Sequence, residues 1–214
     1  MGSAAPTAPL TDRFQLTVPA SWYVLELSPE AVEPTLRGAV MSRAGDDPRQ
    51  RRLGRALIAE LLKVVRTAQR RGAIYAAGTF EVFAEGPVTA TVMVSVVTPP
   101  PGARGDLLSQ LGRMRPQGAG EPDGTWRNVL PVDLPEVGPA GRVVGVQDLP
   151  VNDEVSVRYV VMHTVIPIPG SDGALVVTCG SPNLPLADAL LDLFDAITGT
   201  FRFVDDEGQL FPGT

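Results

Sequence analysis

Apolar and polar residues alternate along much of this 214-residue chain, and this pattern predicts a series of short β-strands. The first two are residues 14–18 and 22–27, with a turn at Pro19 between them. Residues 29–44 have a mixed pattern that favours neither strand nor helix. Further strands are predicted at residues 73–85 and 88–97, which form a long hairpin, and at residues 127–132, 141–147, 154–165, 174–179 and 200–204.

The strand at residues 154–165 has two predicted faces. His163 shares one face with Val161 and Val165, and this face is predicted to be buried. Arg158 and Thr164 lie on the opposite face, which is predicted to be exposed to solvent. His163 is therefore expected to be a core histidine that bonds to a polar neighbour.

Two segments have helical periodicity. Asp47 followed by a proline predicts a helix start, and Gly72 predicts its end, so a long helix covers residues 48–71. The second helix covers residues 184–198, and Ser181 or Asn183 is expected to cap it. Its apolar stripe is Leu186, Leu190, Phe194 and Ile197.

These elements predict an α+β fold with a central, twisted, mostly antiparallel sheet of six or seven strands. The long basic helix and the C-terminal helix flank the sheet. A single domain is predicted at residues 13–204, after a disordered segment at 1–12 and before a polar tail at 205–214. Residues 99–126 are rich in glycine and proline and include a short helical candidate at 106–113. They are predicted to form an excursion on the surface, because strands resume on both sides.

Composition gives no support for catalytic, redox or metal chemistry. Hydrophobic residues make up 44% and charged residues 20%, as in ordinary globular proteins. One cysteine, Cys179, cannot form an internal disulfide, and one histidine cannot build the usual metal cage. The sequence contains no nucleotide-binding glycine motif and no G-x-S-x-G nucleophile motif. We therefore predict a non-enzymatic protein without cofactor or metal.

Charge and hydropathy bear on location and partners. The formal net charge of −6 opposes binding of the whole molecule to nucleic acid or anionic lipid. No apolar run is long enough for a transmembrane helix, and the first residues lack the pattern of a signal peptide. These features predict a cytoplasmic protein with no membrane span. The frequent arginine, alanine, glycine and proline are typical of a GC-rich, actinobacterial source.

The long helix carries most of the basic charge. Residues 49–71 contain eight basic residues and one acidic residue, which gives about +7 there and about −13 elsewhere. A helical wheel places Leu57 and Leu61 on an apolar face and the cations opposite them. The basic face consists of Arg51, Arg52, Arg55, Lys63, Arg66 and Arg70.

Three interpretations of this basic face remain open. It is a solvent-exposed face that the acidic remainder offsets, a docking face for an acidic protein partner, or a site for anionic lipid or nucleic acid. Arginines in the first turns oppose the helix dipole, so stability alone does not explain the arrangement. A second candidate site is an apolar pocket near Trp126 and His163, although each residue also fits an ordinary core position.

The opening sequence F-x-L-x-V-P-x-x-W at residues 14–22, the sequence TCGSP at 178–182 and the closing helix with residues 200–203 resemble the PsbP-like group of small α/β proteins. That group includes a photosystem subunit, the Ran-binding Mog protein, LpqN-type lipoproteins and DcrB-type secretion adaptors. The resemblance covers most of the chain as an order of elements. It implies a protein-binding adaptor or chaperone-like accessory factor, with a role in secretion, and a small-ligand carrier is the alternative. The chain departs from the group in its basic helix, its excursion and its lack of a lipobox, and the group defines no catalytic residues.

Overall fold

A computed structural model describes residues 13–28, 30–44, 46–70, 72–83, 86–98, 125–150, 156–205 and 207–210. These ranges form a seven-stranded antiparallel sheet, a two-stranded sheet and three α-helices, which confirms the predicted α+β class. The helices are α1 (Val32–Ala44), α2 (Pro48–Arg70) and α3 (Ala187–Gly199). The strands are β1 (Phe14–Gln15), β2 (Tyr23–Val24), β3 (Ala73–Phe83), β4 (Gly86–Val97), β5 (Trp126–Leu134), β6 (Gly138–Pro150), β7 (Ser156–Pro167), β8 (Ala174–Ser181) and β9 (Arg202–Phe203).

Three predicted features fall wholly or mostly outside the described residues. They are the N-terminal segment 1–12, the helical candidate 106–113 and the excursion 99–126. The predicted tail begins with residues that the structure does describe: Val204 bridges Leu210, and the Asp205 amide donates to the Gln209 carbonyl at 2.9 Å. The tail therefore starts with a turn that folds back on β9.

The start and the end of α2 follow their sequence signals. The Arg49 amide donates to the Asp47 carboxylate at 2.7 Å, and proline occupies the first helical position. Gly72 adopts a φ of 63°, a left-handed conformation that glycine accepts without strain, just beyond the last turn. Most of the ambiguous segment 29–44 forms α1 (Val32–Ala44), in which Leu36 and Val40 are one turn apart and buried.

The sheet has the strand order β2-β3-β4-β8-β7-β6-β5. The hairpin β3–β4 and the run β5 to β8 each pair neighbours in sequence, whereas the pairing of β4 with β8 joins distant parts of the chain. Strands β2 and β5 are the edges. The two-stranded sheet pairs β1 with β9, so Phe14 lies opposite Phe203 near the two ends of the described chain.

Helices pack on both faces of the large sheet. On one, which we call the α3 face, Leu190, Phe194 and Ile197 pack against strand residues, and β1 and β9 join the same core. On the other, which we call the α2 face, α1 and α2 pack over β2, β3 and β4. The larger core therefore lies between the sheet and α3.

The predicted solvent-exposed face of β7 is wrong, whereas Val161 and Val165 on the other face are buried as predicted. Thr164 is fully buried on the α3 face together with Val160, Met162 and Ile166, whereas His163 on the α2 face is only partly buried. Strand β7 lies inside the sheet, between β6 and β8, so its central residues are covered on both faces. A hydroxyl such as that of Thr164 tolerates this position because it has a hydrogen-bond partner.

That partner is Arg142 of β6, whose buried side chain reaches α3. Its Nε donates to Thr164 Oγ1 at 3.2 Å, its Nη2 donates to Thr198 Oγ1 at 2.9 Å, and its Nη1 pairs with the Asp195 carboxylate. The side chain is 7% exposed, whereas that of Asp195 is 63% exposed. Arg142 thus connects the sheet to the C-terminal helix by polar contacts within an apolar layer.

The predicted helix cap after β8 is also wrong. A short 3-10 helix, Leu184–Leu186, precedes α3, and no side chain caps either one. The Asn183 side chain instead accepts the Thr89 amide at 2.9 Å and donates to the Pro87 carbonyl at 2.8 Å. Asn183 therefore holds the turn after β8 against the beginning of β4.

Cys179 gives a test of the central core. The thiol is fully buried, and burial raises its pKa to about 12, although the charge of Arg142 acts in the opposite direction. Because the thiolate is the reacting form, we expect a disulfide reagent to modify the folded protein at least about a hundredfold more slowly than the unfolded protein. Reaction rates with and without denaturant measure this ratio, and similar rates would contradict the burial of Cys179.

Candidate functional site

The orientation of α2 is fixed by its apolar face. Leu61, Val65 and Ala68 are at most 1% exposed, and they belong to one cluster with α1 and the sheet. Leu61 packs closely over β3, because a Cβ added at Gly78 would lie 3.4 Å from Leu61 Cδ2. At the far end the Gln69 side chain donates to the Leu27 carbonyl at 2.9 Å. The opposite face of α2 is therefore held towards solvent.

This exposed face carries a line of cations that we call the basic stripe. All its members are exposed, and Ala59, also exposed, lies in the same line. Successive positions in the line are three or four residues apart, which keeps them on one side of a helix. The basic stripe consists of Arg52, Arg55, Lys63, Arg66 and Arg70. The predicted basic face is thus present as one surface, with Arg51 exposed beside it.

Few carboxylates balance these charges. Arg51 lies 4.0 Å from the Asp46 carboxylate, and both side chains are at least half exposed, so the pair contributes little. Arg70 donates to the Thr67 hydroxyl at 3.1 Å rather than to an acid. Within the described ranges no carboxylate forms a salt bridge with Arg52, Arg55 or Arg66. The positive charge of Arg52, Arg55 and Arg66 is therefore available to a partner.

The structure does not bring Trp126 and His163 together. Trp126 lies in register with Val146 and Val160, on the α3 face, whereas His163 lies in register with Val143 on the α2 face. The sheet separates the two side chains, so they do not line one pocket. Trp126 is 39% exposed on the edge strand.

His163 is engaged by neighbours on its own face. Its Nδ1 lies 3.1 Å from Thr178 Oγ1, and its Nε2 lies 3.3 Å from the Gln147 amide nitrogen. In the neutral ring the amide donates to Nε2, and Nδ1–H donates to the hydroxyl. The predicted bond to a polar neighbour is present, and neither contact supplies a catalytic base or nucleophile pair.

Comparison with known proteins gives a distant likeness at the level of fold. A scan against protein families gives no match, and no curated protein matches the sequence. Among solved structures, LpqN, involved in cell envelope biogenesis of Mycobacterium tuberculosis, is 14% identical with a TM-score of 0.44, over 92% of this chain and 84% of that chain. The likeness is one of fold at most, and membership of the PsbP-like group stays a prediction.

An open groove has a lining that includes no residue of the two predicted sites. It has a volume of about 470 Å³, and its lining includes Phe14 and Leu16 near β1 and Ile74 and Tyr75 of β3. The Phe14 and Tyr75 rings meet edge to face at 6.0 Å, and burial raises the pKa of the Tyr75 hydroxyl. Sequence reasoning missed this groove, because its walls come from strands about 60 positions apart that no local pattern connects.

Neither a membrane-spanning helix nor a metal cluster is present in the described ranges. No helix there is long and apolar enough to span a membrane, and no three histidine, cysteine or acidic side chains lie together to hold a metal ion. Among the features described above, the basic stripe is the one whose chemistry suggests a binding role. It can attract and orient an anionic surface.

Proposed function

We propose that this chain is a non-enzymatic, cytoplasmic adaptor or chaperone-like accessory factor that binds an acidic protein through the basic stripe. The observation that supports this proposal is a line of exposed cations on a helix whose other face is locked in the core. A rigid charged surface loses little conformational freedom on binding, and it raises the rate and the selectivity of association. A role in secretion is proposed from the resemblance to DcrB-type adaptors.

The alternative of a merely solvated face accounts less well for the position of the arginines. Arg51 and Arg52 lie in the first turns of α2, near the positive end of the helix dipole. Each cation there costs roughly 0.3–1 kcal/mol at an exposed site. A surface that needed only solubility would mix charges of both signs, whereas this one separates them. A recognised partner explains why the arrangement is retained despite its cost.

Charge reversal at three stripe positions tests this function. We expect Arg52→Glu, Arg55→Glu and Arg66→Glu together to weaken binding of a co-purified native partner at least tenfold, which is about 1.4 kcal/mol. The same changes should leave the melting temperature nearly unchanged, because all three side chains are exposed. An acid suits the start of the helix at position 52 and opposes the dipole near its end at position 66, so the two effects offset each other. Quantitative co-purification from the native host and thermal unfolding measure the two effects.

A matched control is available on α1. Arg37 is an exposed arginine that pairs with Glu33 at 2.9 Å, and both residues belong to α1 rather than to α2. Arg37→Glu changes the net charge as much as Arg55→Glu alone, and it should leave partner binding within about twofold. Unchanged co-purification of the triple variant would refute docking through the stripe.

A small-ligand carrier is the second candidate, and the groove beside Tyr75 is the observation in its favour. Ligand sites usually bury about 70–90% of a small molecule, whereas this groove is open along one side. Native mass spectrometry of freshly purified protein distinguishes the two functions. A retained small molecule supports the carrier, and a retained polypeptide supports the adaptor.

A further inference from the structure

The basic stripe has a definite length. Its members occupy positions 52 to 70 of one uninterrupted helix. At 1.5 Å per residue the line is about 27 Å long, which equals about five helical turns. Because the apolar side of α2 is packed in the core, the spacing of these cations is set by the fold.

Ala59 divides the stripe into two charged groups. Arg52 and Arg55 form the first group, and Lys63 begins the second. Along the axis about 12 Å separate Arg55 from Lys63, against about 5 Å between cations within a group. At Ala59 the exposed surface is small and uncharged. A partner can therefore approach the helix backbone closely at this point while its acidic groups meet cations on both sides.

The surroundings limit the width of an anionic partner. Asp46 and Asp47 are exposed just before α2. Asp46 lies 4.0 Å from Arg51, which is next to Arg52 at the start of the stripe. A membrane surface or a nucleic acid duplex is wider than the stripe and would also approach these carboxylates. An α-helix is about 10–12 Å across, so it can cover the stripe alone.

We propose that the partner presents an acidic α-helix of about five turns to the basic stripe. Its Asp or Glu side chains form two groups on one face, and a small or apolar residue between them faces Ala59. This proposal rests on the proposed function, since it names the kind of partner that the same surface binds. The stripe recognises this helix by charge complementarity along its length and by close approach at Ala59.

Two synthetic helical peptides test the geometry. They have the same length, composition and net charge; one carries its glutamates on a single face in two groups, and the other distributes them evenly around the helix. We expect the first peptide to bind the intact protein at least tenfold more tightly, as measured by fluorescence anisotropy at physiological salt. The triple reversal Arg52→Glu, Arg55→Glu and Arg66→Glu should remove most of that difference.

A bulky side chain at the centre of the stripe tests close approach without changing any charge. Ala59→Trp keeps the net charge and should weaken binding of the one-faced peptide at least fivefold by preventing close approach. Thr35→Trp, at an exposed position of α1 outside the stripe, is the matched control and should have no effect.

The outcomes separate this inference from the proposed function. Equal affinity for the two peptides would overturn the acidic helix, because net charge alone would then decide, and docking of an acidic partner would stand. The helix is equally overturned if neither peptide binds while co-purification of the native partner still depends on the three arginines. Both proposals fail if the one-faced peptide binds and the triple reversal changes neither its affinity nor the co-purification.

Discussion

Replacing Arg142 with alanine is expected to lower the free energy of unfolding by about 3 kcal/mol, because it removes buried hydrogen bonds and leaves a cavity between β6 and α3. Thr164 would lose the partner that satisfies its hydroxyl in a fully buried position. Thr198 would lose less, since its hydroxyl also donates to the Phe194 carbonyl at 2.8 Å. Urea unfolding, followed by the fluorescence of the buried Trp22, measures the change.

Asp195→Asn separates the ion pair from the buried contacts. The Asp195 side chain is 63% exposed, so solvent screens its attraction to Arg142 and we expect a loss below about 1 kcal/mol. Arg142→Met should fall between the two, because it fills the cavity but offers Thr164 no donor. If Asp195→Asn destabilised the protein as much as Arg142→Ala, the surface ion pair rather than the buried network would connect α3 to the sheet.

Gly145→Ala is expected to destabilise the protein by a comparable amount, about 3 kcal/mol, through overpacking. A Cβ at this position of β6 would overlap the Trp126 carbonyl oxygen and lie 3.1 Å from Arg127 Cα. Both obstacles are backbone atoms of β5, so no side-chain rotation relieves them. The edge strand would have to move away from β6 at its first residues, and a lower urea midpoint would report the loss.

Gly180 is the matched control for Gly145. The two glycines lie in the same row across the sheet, with Val161 between them. A Cβ at Gly180 would meet its nearest neighbours at 3.7 Å, an ordinary contact. Gly180→Ala should therefore be neutral or stabilise the strand by up to about 1 kcal/mol, since alanine has less conformational freedom to lose on folding. Equal destabilisation by both substitutions would show that the approach of β5 to Gly145 is not the cause.

The parts of the fold that follow from local pattern were predictable. Helix α2 has a start signal, a stop signal and a long apolar period, and its basic stripe follows from spacing alone. Helix α1 could not be predicted, because few of its described residues are buried and they give only a weak apolar period. Leu36 and Val40 are two of these buried residues. The two faces of β7 could not be assigned from sequence. A central strand is covered on both faces, so the alternation of apolar and polar residues does not show which face is buried.

Features that depend on pairing between distant strands were beyond local reasoning. The relation of Trp126 to His163 is set by the registers of β5, β6 and β7, which place them on opposite faces. Nothing near Arg142 in sequence indicates that it is buried, because its partners Thr164 and Thr198 follow 22 and 56 positions later. The candidate docking surface, in contrast, lies on one helix and needed no such information.

The strand order has a consequence for synthesis on the ribosome. One edge of β4 is completed only by β8, and Val97 pairs with Ala174. At about 5–20 residues per second, the roughly 80 intervening residues take about 4–15 s to emerge. During that interval the valine-rich edge of β4 has no partner strand, and β-rich segments of other chains can add to it. We therefore expect aggregation during synthesis to fall when a holdase chaperone covers this edge.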